Sequence, residues 1–171
     1  MASSSFVARS WRHLTTTSAT ARRAFPGPTL AALQTAIGAG EAVHRAQLRL
    51  IIEPALKWKT LQDEASARGR AHTLFSHYRI WDTEENVGVL IYINLADRAV
   101  EIVTDRAVGR AIERRKWEAA CALMTSGFAQ GRFHDSALAG VAEVNRLLQA
   151  HFPAHGDAPR SNELSDRPVI L

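Results

Sequence analysis

The hydrophobic positions along the chain follow two spacings, one typical of helices and one typical of strands. Leu30, Leu33 and Ile37 recur at three and four residues, which is the spacing of one buried helix face. The segment from Gln47 to Glu53 reads QLRLIIE and is rich in branched apolar residues, so it predicts a strand. Pro54 cannot continue an interior ladder and should end that strand.

The strongest strand signal is the segment NVGVLIYINL, from Asn86 to Leu95, where apolar residues fall on both faces. This pattern predicts a central strand that is covered on each side. A three-residue connection leads into a second strand, Ala99 to Thr104, and a connection that short predicts an antiparallel hairpin. A helix over roughly residues 61–78 separates the strand at 47–53 from the hairpin, which permits a parallel crossover.

Two further helices follow the hairpin. Apolar residues recur at helical spacing between Trp117 and Phe128, and Gly131 is placed to end that helix. Asp135 can cap the next helix, which reaches His151. Together these elements predict an α/β fold, a small mixed β-sheet with helices on both faces, which is a three-layer α/β/α sandwich.

Length and charge divide the chain into three parts. A chain of 171 residues suits one domain with a substantial core. The net charge of +4 lies in residues 1–24, which contain four arginines and no acid, whereas the rest of the chain sums to zero. We therefore expect a basic flexible N-terminal arm at 1–24, with some likeness to a transit peptide, an α/β domain at 25–153 and a polar, loose C-terminal tail at 154–171.

Composition also bears on location and partners. The excess charge lies on the arm and not on the folded domain, so nucleic acid is not a predicted partner. The longest apolar run, Val87 to Leu95, is far shorter than a membrane-spanning helix. A single cysteine, Cys121, excludes an internal disulfide and fits the cytoplasm.

The predicted topology gathers acidic residues at one end of the sheet. The start of the central strand and the end of its antiparallel partner share an edge, which carries Asp82, Glu84, Asn86 and Asp105. If the strand at 47–53 is parallel to the central strand, Glu41 approaches the same edge. Carboxylate and amide oxygens are ligands for hard cations, so these five residues are candidate ligands for Ca²⁺ or Mg²⁺. The alternative is that they are solvated acids in loops.

The opposite end of the sheet offers a second candidate site, formed by Glu53, Asp97 and Arg98. In open α/β sheets, ligands usually bind at the carboxyl ends of parallel strands. Asp97 and Arg98 are also ordinary turn residues, so a purely structural role remains open.

Several signatures of phosphate chemistry are missing from the sequence. Cys121 is followed six residues later by Gly127, where a cysteine phosphatase needs an arginine, and Cys121 lies on an apolar helix face. A buried structural thiol is therefore the expected role. The sequence contains no Gly-x-x-x-x-Gly-Lys loop either.

The segment NVGVLIYINLADRAVEIVTDRAV resembles the middle of TPM domains. Trp117 and the run Phe128-x-x-Gly131-x-Phe133 are similar to the C-terminal helices of that family and the turn between them. The HFP triplet and the tail NELSDRPVIL resemble a bacterial subgroup associated with LemA-type and membrane-anchored TPM neighbours. The resemblance covers roughly residues 28–153 and implies a phosphatase-like or calcium-binding protein, often with a membrane tether.

Two functions follow from these expectations. The favoured one is an accessory or binding module that holds a divalent cation at the acidic edge and engages a membrane-associated protein partner. Its expected location is cytoplasmic, with the membrane surface as the alternative. The second is a metal-dependent, phosphatase-like hydrolase of phosphate esters, in which the cation polarises a phosphoryl oxygen and a carboxylate activates water. Arg106 is then the nearest residue to hold the phosphate.

Overall fold

A computed structural model of the chain describes residues 2–57, 60, 66–154 and 162–171. The helices in these segments are α1 (Ala2–Thr15), α2 (Ser18–Ala24), α3 (Gly27–Val43), α4 (Ala67–His77), α5 (Arg106–Ala111), α6 (Arg114–Ala129) and α7 (Phe133–His151). The strands are β1 (Gln47–Glu53), β2 (Gly88–Asn94), β3 (Ala99–Thr104) and β4 (Val169–Ile170).

The four strands form one mixed sheet in the order β3-β2-β1-β4. β1 and β2 run parallel, with Gln47 beside Gly88 and Glu53 beside Asn94. β2 and β3 are antiparallel, with Asn94 opposite Ala99 across the hairpin. The predicted α/β fold, the antiparallel hairpin and the parallel pairing are all confirmed.

The sheet is covered on both faces, which explains why β2 is apolar along its whole length. Val89, Ile91 and Ile93 face a core formed with α3, α6 and α7. Leu90 and Tyr92 face a second, smaller cluster formed with α4. Every residue of β2 is buried, as expected for a strand with no solvent-facing side.

The helix ends follow from local sequence chemistry. The Ser66 hydroxyl accepts a hydrogen bond from Gly69 N at 3.1 Å and so caps α4. The predicted helix at 61–78 therefore begins at Ala67 in the structure, while residues 61–65 lie outside the described segments. α7 begins at Phe133, so Asp135 lies in its first turn, where an acid favours the helix dipole, and is not the cap that the sequence predicted.

The N-terminal segment differs from the flexible arm predicted over residues 1–24. Helices α1 and α2 cover most of it, and Thr17 begins α2 with a capping box shared with Thr20. Ala21 is fully buried, and Phe25, which follows α2, is 1% exposed. Polar contacts from α1 to the β2–β3 turn also hold this segment, and hydrophobic spacing could not have indicated them.

Residues 155–161 of the loose tail predicted at 154–171 lie outside the described segments, but residues 162–171 differ from the prediction. Val169 and Ile170 pair in parallel with Ile51 and Ile52 as strand β4. Upstream, the side-chain oxygen of Gln47 accepts hydrogen bonds from the backbone N–H groups of residues 163 and 164 at 2.9 and 3.0 Å. A two-residue strand is too short to show a periodic pattern.

β3 lies at the edge of the sheet that β4 does not occupy. The side chain of Arg68, from α4, reaches this edge and donates to the backbone oxygen of Ile102. The same guanidinium lies 3.3 Å from the carboxylate of Glu101. Arg68 therefore occupies part of the hydrogen-bonding edge of β3.

Candidate functional site

At the amino end of the sheet, Asp105 joins the end of β3 to the start of α5. Its backbone N–H donates to Gly88 O at 2.8 Å, and its Oδ1 accepts from Arg106 N at 2.6 Å, which caps the helix. The residue is 7% exposed. Its second carboxylate oxygen, Oδ2, is buried and has no hydrogen-bond partner among the residues that the structure describes. Such an orphaned acceptor is unfavourable and can accept a ligand.

Glu41, in α3, is held on the other side of β1. Its Oε1 accepts a hydrogen bond from Leu48 N at 2.7 Å. Gln47 N donates towards β2, to Val87 O, so the next amide along β1 faces away from β2. Burial raises the pKa of Glu41 to about 7, with a further contribution from Asp166, although the bond from Leu48 opposes the shift. Glu41 and Asp105 thus share one end of the sheet but flank different strands.

The remaining predicted ligands lie in the loop before β2. Asp82 is exposed and lies 3.5 Å from Arg79 in an ion pair. Glu84 and Asn86 are exposed, and Asn86 has a positive φ of 55°. Among the described residues, no three or more His, Cys, Asp or Glu side chains form a group that could hold a metal ion. The five predicted Ca²⁺ or Mg²⁺ ligands therefore do not form one such group, and cation binding at this edge stays a prediction.

At the carboxyl end, Asp97 anchors α1 to the β2–β3 turn. The Arg9 guanidinium donates to both carboxylate oxygens, at 2.8 and 2.9 Å, and His13 Nε2 lies 3.0 Å from Oδ1. Leu56 N donates to His13 Nδ1 at 2.8 Å, so Nδ1 is the acceptor and Nε2–H donates the hydrogen bond to Asp97. Although burial opposes ionisation, the bonds from Arg9 and His13 hold the pKa of Asp97 below its ordinary value.

Buried polar side chains, joined by hydrogen bonds, also support the β2–β3 turn. Tyr92 OH donates to Glu53 at 2.6 Å, and Arg70 pairs with both oxygens of that carboxylate at 2.8 and 3.0 Å. The Asn94 amide donates to Tyr92 OH at 2.8 Å and accepts from Asp97 N at 2.8 Å. Glu53 and Asp97, which the sequence offered as a candidate site, are therefore fully engaged in structural bonds.

Tyr92, Asn94 and Arg70 were missed by the sequence reasoning. A signal for two of them was present, because Tyr92 and Asn94 are polar residues spaced by two in an otherwise apolar strand. That spacing places both on one face of β2, and the parallel register brings Glu53 beside Asn94.

A cavity of about 770 Å³ lies beside this turn, and Arg98 contributes to its wall. Arg98 has a positive φ of 52° as the last residue of the turn. Arg23 of α2 lines the same cavity, together with the aromatic rings of Phe128 and Phe133. The third sequence candidate at this end, Arg98, thus faces a cavity, whereas Glu53 and Asp97 support the structure around it.

The remaining reactive groups fit structural roles. Burial raises the pKa of the Cys121 thiol to about 11, so the thiol stays protonated near neutral pH, in keeping with the structural role expected from the sequence. Arg106 is the first residue of α5 and is exposed. Within the described segments, no helix combines the length and apolar character needed to cross a membrane.

The fold and the two sheet ends define an open α/β domain with a polar, tightly anchored hairpin turn. A family model, that of the TPM domain, matches residues 22–147. The chain therefore belongs to the TPM domain family, as the sequence motifs predicted. α1 and β4 lie outside the matched residues. The narrower subgroup, the membrane-associated partner and the cytoplasmic location stay predictions.

A solved structure supports the fold. The NMR structure of the BA42 protein from the psychrophilic bacterium Bizionia argentinensis is similar to this chain, with a TM-score of 0.72 and 20% sequence identity. The similarity covers 86% of this chain and 95% of that one. No curated protein sequence matches the chain at a significant level.

Proposed function

We propose that this TPM domain is a binding module that holds a divalent cation at the amino end of its sheet, with Asp105 as the central ligand. One observation carries the proposal: Asp105 Oδ2 is buried and has no hydrogen-bond partner in the described segments. A carboxylate oxygen removed from water without a partner costs free energy, and a cation would offset that cost. Oδ1 is already bound by Arg106 N, which fixes the orientation of the carboxylate.

The proposed site suits Mg²⁺ better than Ca²⁺. Mg²⁺ usually keeps several water ligands and binds through one or two carboxylates, whereas Ca²⁺ takes six to eight oxygen ligands. Asp105 would supply the direct ligand; because Oδ2 is buried, its surroundings must shift to admit the cation and the waters that complete the shell. Glu84 and Asn86 are exposed in the loop before β2, so both would act through these waters, and Glu84 also through its negative charge.

A hydrolase is the second candidate, and Arg106 is the feature that favours it. Arg106 directly follows Asp105, so a guanidinium and a cation could both approach a phosphate ester. Catalysis would also need a general base to activate water. Glu41 is not placed to act as this base, because it is bonded to Leu48 N on the other side of β1. The hydrolase therefore needs a further group that the binding module does not need.

The test is a titration of the purified protein with Mg²⁺ and Ca²⁺, followed by amide resonances and by melting temperature. The key variant is Asp105→Asn, since asparagine also caps helices well. At a hundredfold excess over the dissociation constant, a cation stabilises the fold by about 2.7 kcal/mol. For a chain of this size, that corresponds to roughly 5–11 °C in melting temperature. We expect the wild type to gain this stability with Mg²⁺ and Asp105→Asn not to gain it.

Asp135→Asn is the matched control, because Asp135 is an exposed acid in the first turn of a helix. This variant should respond to Mg²⁺ as the wild type does. If millimolar cation moves neither melting nor resonances, or stabilises Asp105→Asn equally, the proposal is wrong. A parallel assay with p-nitrophenyl phosphate separates the two functions: turnover that disappears in Asp105→Asn would establish the hydrolase.

A further inference from the structure

The cavity at the carboxyl end of the sheet is lined by four parts of the chain and is partly open to solvent. Its wall is formed by the α1–α2 connection and α2, the end of β2 with the hairpin turn, the end of α6, and the start of α7. Its volume of about 770 Å³ lies within the range of small-molecule sites. It also lies at the carboxyl end of β2, and the carboxyl ends of parallel strands are the usual position of ligands in open α/β sheets.

The charge of the cavity wall has one sign. Arg98 and Arg23 line it, and no acidic residue does. Asp97 precedes Arg98 in the chain, but its two carboxylate oxygens are already bonded to Arg9 and His13. Within the described segments, neither Arg98 nor Arg23 has an acidic partner for its guanidinium. Two exposed arginines without an acidic partner in those segments therefore border one partly open cavity.

The position of Arg98 is fixed by its surroundings. Its φ of 52° lies in the left-handed region, which costs a side-chain-bearing residue on the order of 1 kcal/mol. The fold holds this conformation by bonding the turn from both sides. Asn94 accepts from Asp97 N at 2.8 Å, and Arg12 donates to Ala96 O at 3.0 Å. The backbone of Arg98 is thus held in place by the turn, whereas its exposed side chain would be ordered only when a ligand binds.

Another part of the wall is aromatic. Phe128 and Phe133 are stacked, with ring centroids 5.2 Å apart and an interplanar angle of 21°. Phe25 packs edge-on against both rings at 5.8 and 5.7 Å. Ile93, at the end of β2, adds a branched apolar surface. This cluster offers a fixed apolar surface for the body of a ligand.

We propose that this cavity binds a small organic anion, whose acidic group lies between Arg98 and Arg23 and whose apolar or aromatic body contacts Phe128 and Phe133. The shared chemistry is one anionic group, a carboxylate or a phosphate-like group, on a compact apolar body. The site is separate from the proposed cation site, because the two lie at opposite ends of the sheet. Binding here requires no metal.

The test uses phenylphosphonate in the presence of EDTA. This aromatic anion has no phosphate ester bond, so a phosphatase cannot hydrolyse it. Binding is followed by amide resonances of the full chain, with benzoate as the carboxylate probe. We expect saturable shifts in residues 93–99 and 125–133. Methylphosphonate lacks the aromatic body and benzyl alcohol lacks the charge, so each should bind more weakly. Benzoate and phenylphosphonate together show which acidic group the arginines prefer.

Two arginine variants provide the matched comparison. Arg23→Gln and Arg98→Gln each remove a charge from the wall and should weaken phenylphosphonate binding by about tenfold, the size of one charged hydrogen bond. Arg22→Gln removes the same charge from an exposed neighbour that does not line the cavity, and should leave the affinity unchanged. The amide spectrum of each variant reports whether it is folded. The proposal is overturned if phenylphosphonate shifts no resonance around the cavity, or if Arg98→Gln and Arg22→Gln bind it equally.

Discussion

The docking of α1 on the hairpin turn should depend on one carboxylate, and Asp97→Asn tests this directly. The Asp97 side chain is 10% exposed and accepts two hydrogen bonds from Arg9 and one from His13. Asparagine has nearly the same shape but carries no charge. Its amide nitrogen would also face a donor of Arg9 or His13. The variant therefore removes the negative charge to which Arg9 donates two hydrogen bonds and His13 one.

The structure sets the size of the expected effect. Removing one partner of a buried ion pair costs about 3–5 kcal/mol. Arg9 is 17% exposed, so water can recover part of this loss, and we expect about 3 kcal/mol. That corresponds to a fall in melting temperature of roughly 6–12 °C. The loss of unfolding free energy cannot exceed the free energy with which α1 docks on the turn, because α1 can detach while the sheet stays folded.

Urea denaturation and amide hydrogen exchange together provide the assay. Exchange in α1 and at Leu56 N should accelerate in Asp97→Asn more than exchange in β2. Asp82→Asn is the control, because Asp82 is 53% exposed in its pair with Arg79 and should contribute about 0–1 kcal/mol. If both variants lose the same small amount, the α1 contact does not stabilise the fold and the reasoning fails.

The pH dependence provides an independent check on Asp97. Its pKa is lower in the folded state than in the unfolded state. The stabilisation is therefore complete above the unfolded pKa of about 3.9 and is lost as pH falls through the lower folded value. The stability difference between wild type and Asp97→Asn should shrink in strong acid. A difference that stays constant into strong acid would contradict the assigned role of the charge.

Three further outcomes follow from burial. Ile91→Ala should cost on the order of 2–5 kcal/mol in denaturant titration, because Ile91 is fully buried in β2; an unchanged midpoint would refute this. The folded state binds a proton at Glu41 more tightly than the unfolded state, so stability should fall as pH rises from 4.5 to about 7. Glu41→Gln should flatten that fall and raise the melting temperature at alkaline pH. Cys121 should react with iodoacetamide much more slowly in the folded than in the urea-unfolded chain, since burial raises its pKa to about 11.

The central elements could be predicted because their signals are local. β1 and β3 have the bounds that the sequence predicted, since each is a dense apolar run bordered by a proline, a turn or a helix cap. The short connection at residues 96–98 determined the direction of the hairpin. Burial on both faces of β2 was visible as apolar residues at consecutive positions.

The two ends of the chain could not be predicted in the same way, because their contacts are distant in sequence. Arg9 and Asp97 are 88 positions apart, and an arginine followed much later by an aspartate carries no pattern. β4 has two residues, and its approach depends on Gln47, 116 positions from its backbone partner at residue 163. In both cases polar side chains guide the docking, whereas hydrophobic periodicity reports only on apolar faces.

For the candidate site, topology was predictable but individual hydrogen bonds were not. The shared end of β2 and β3 correctly places Asp105 beside Gly88. The sequence could not show that Leu48 N holds Glu41 on the far side of β1, because neighbouring amides of a strand face opposite ways. It could not show that Arg98 borders a cavity either, since Arg23 and Phe128 reach that space from separate helices.

The bond from Arg68 to β3 bears on how the protein behaves at high concentration. An edge strand with free N–H and C=O groups can pair with the same strand of another molecule and so begin aggregation. Arg68 occupies the carbonyl of Ile102 and places a charge beside Glu101, so a second molecule would have to displace a guanidinium before it could add a strand. A single side chain from α4 thus works against self-association along this edge while leaving the pairing within the sheet intact.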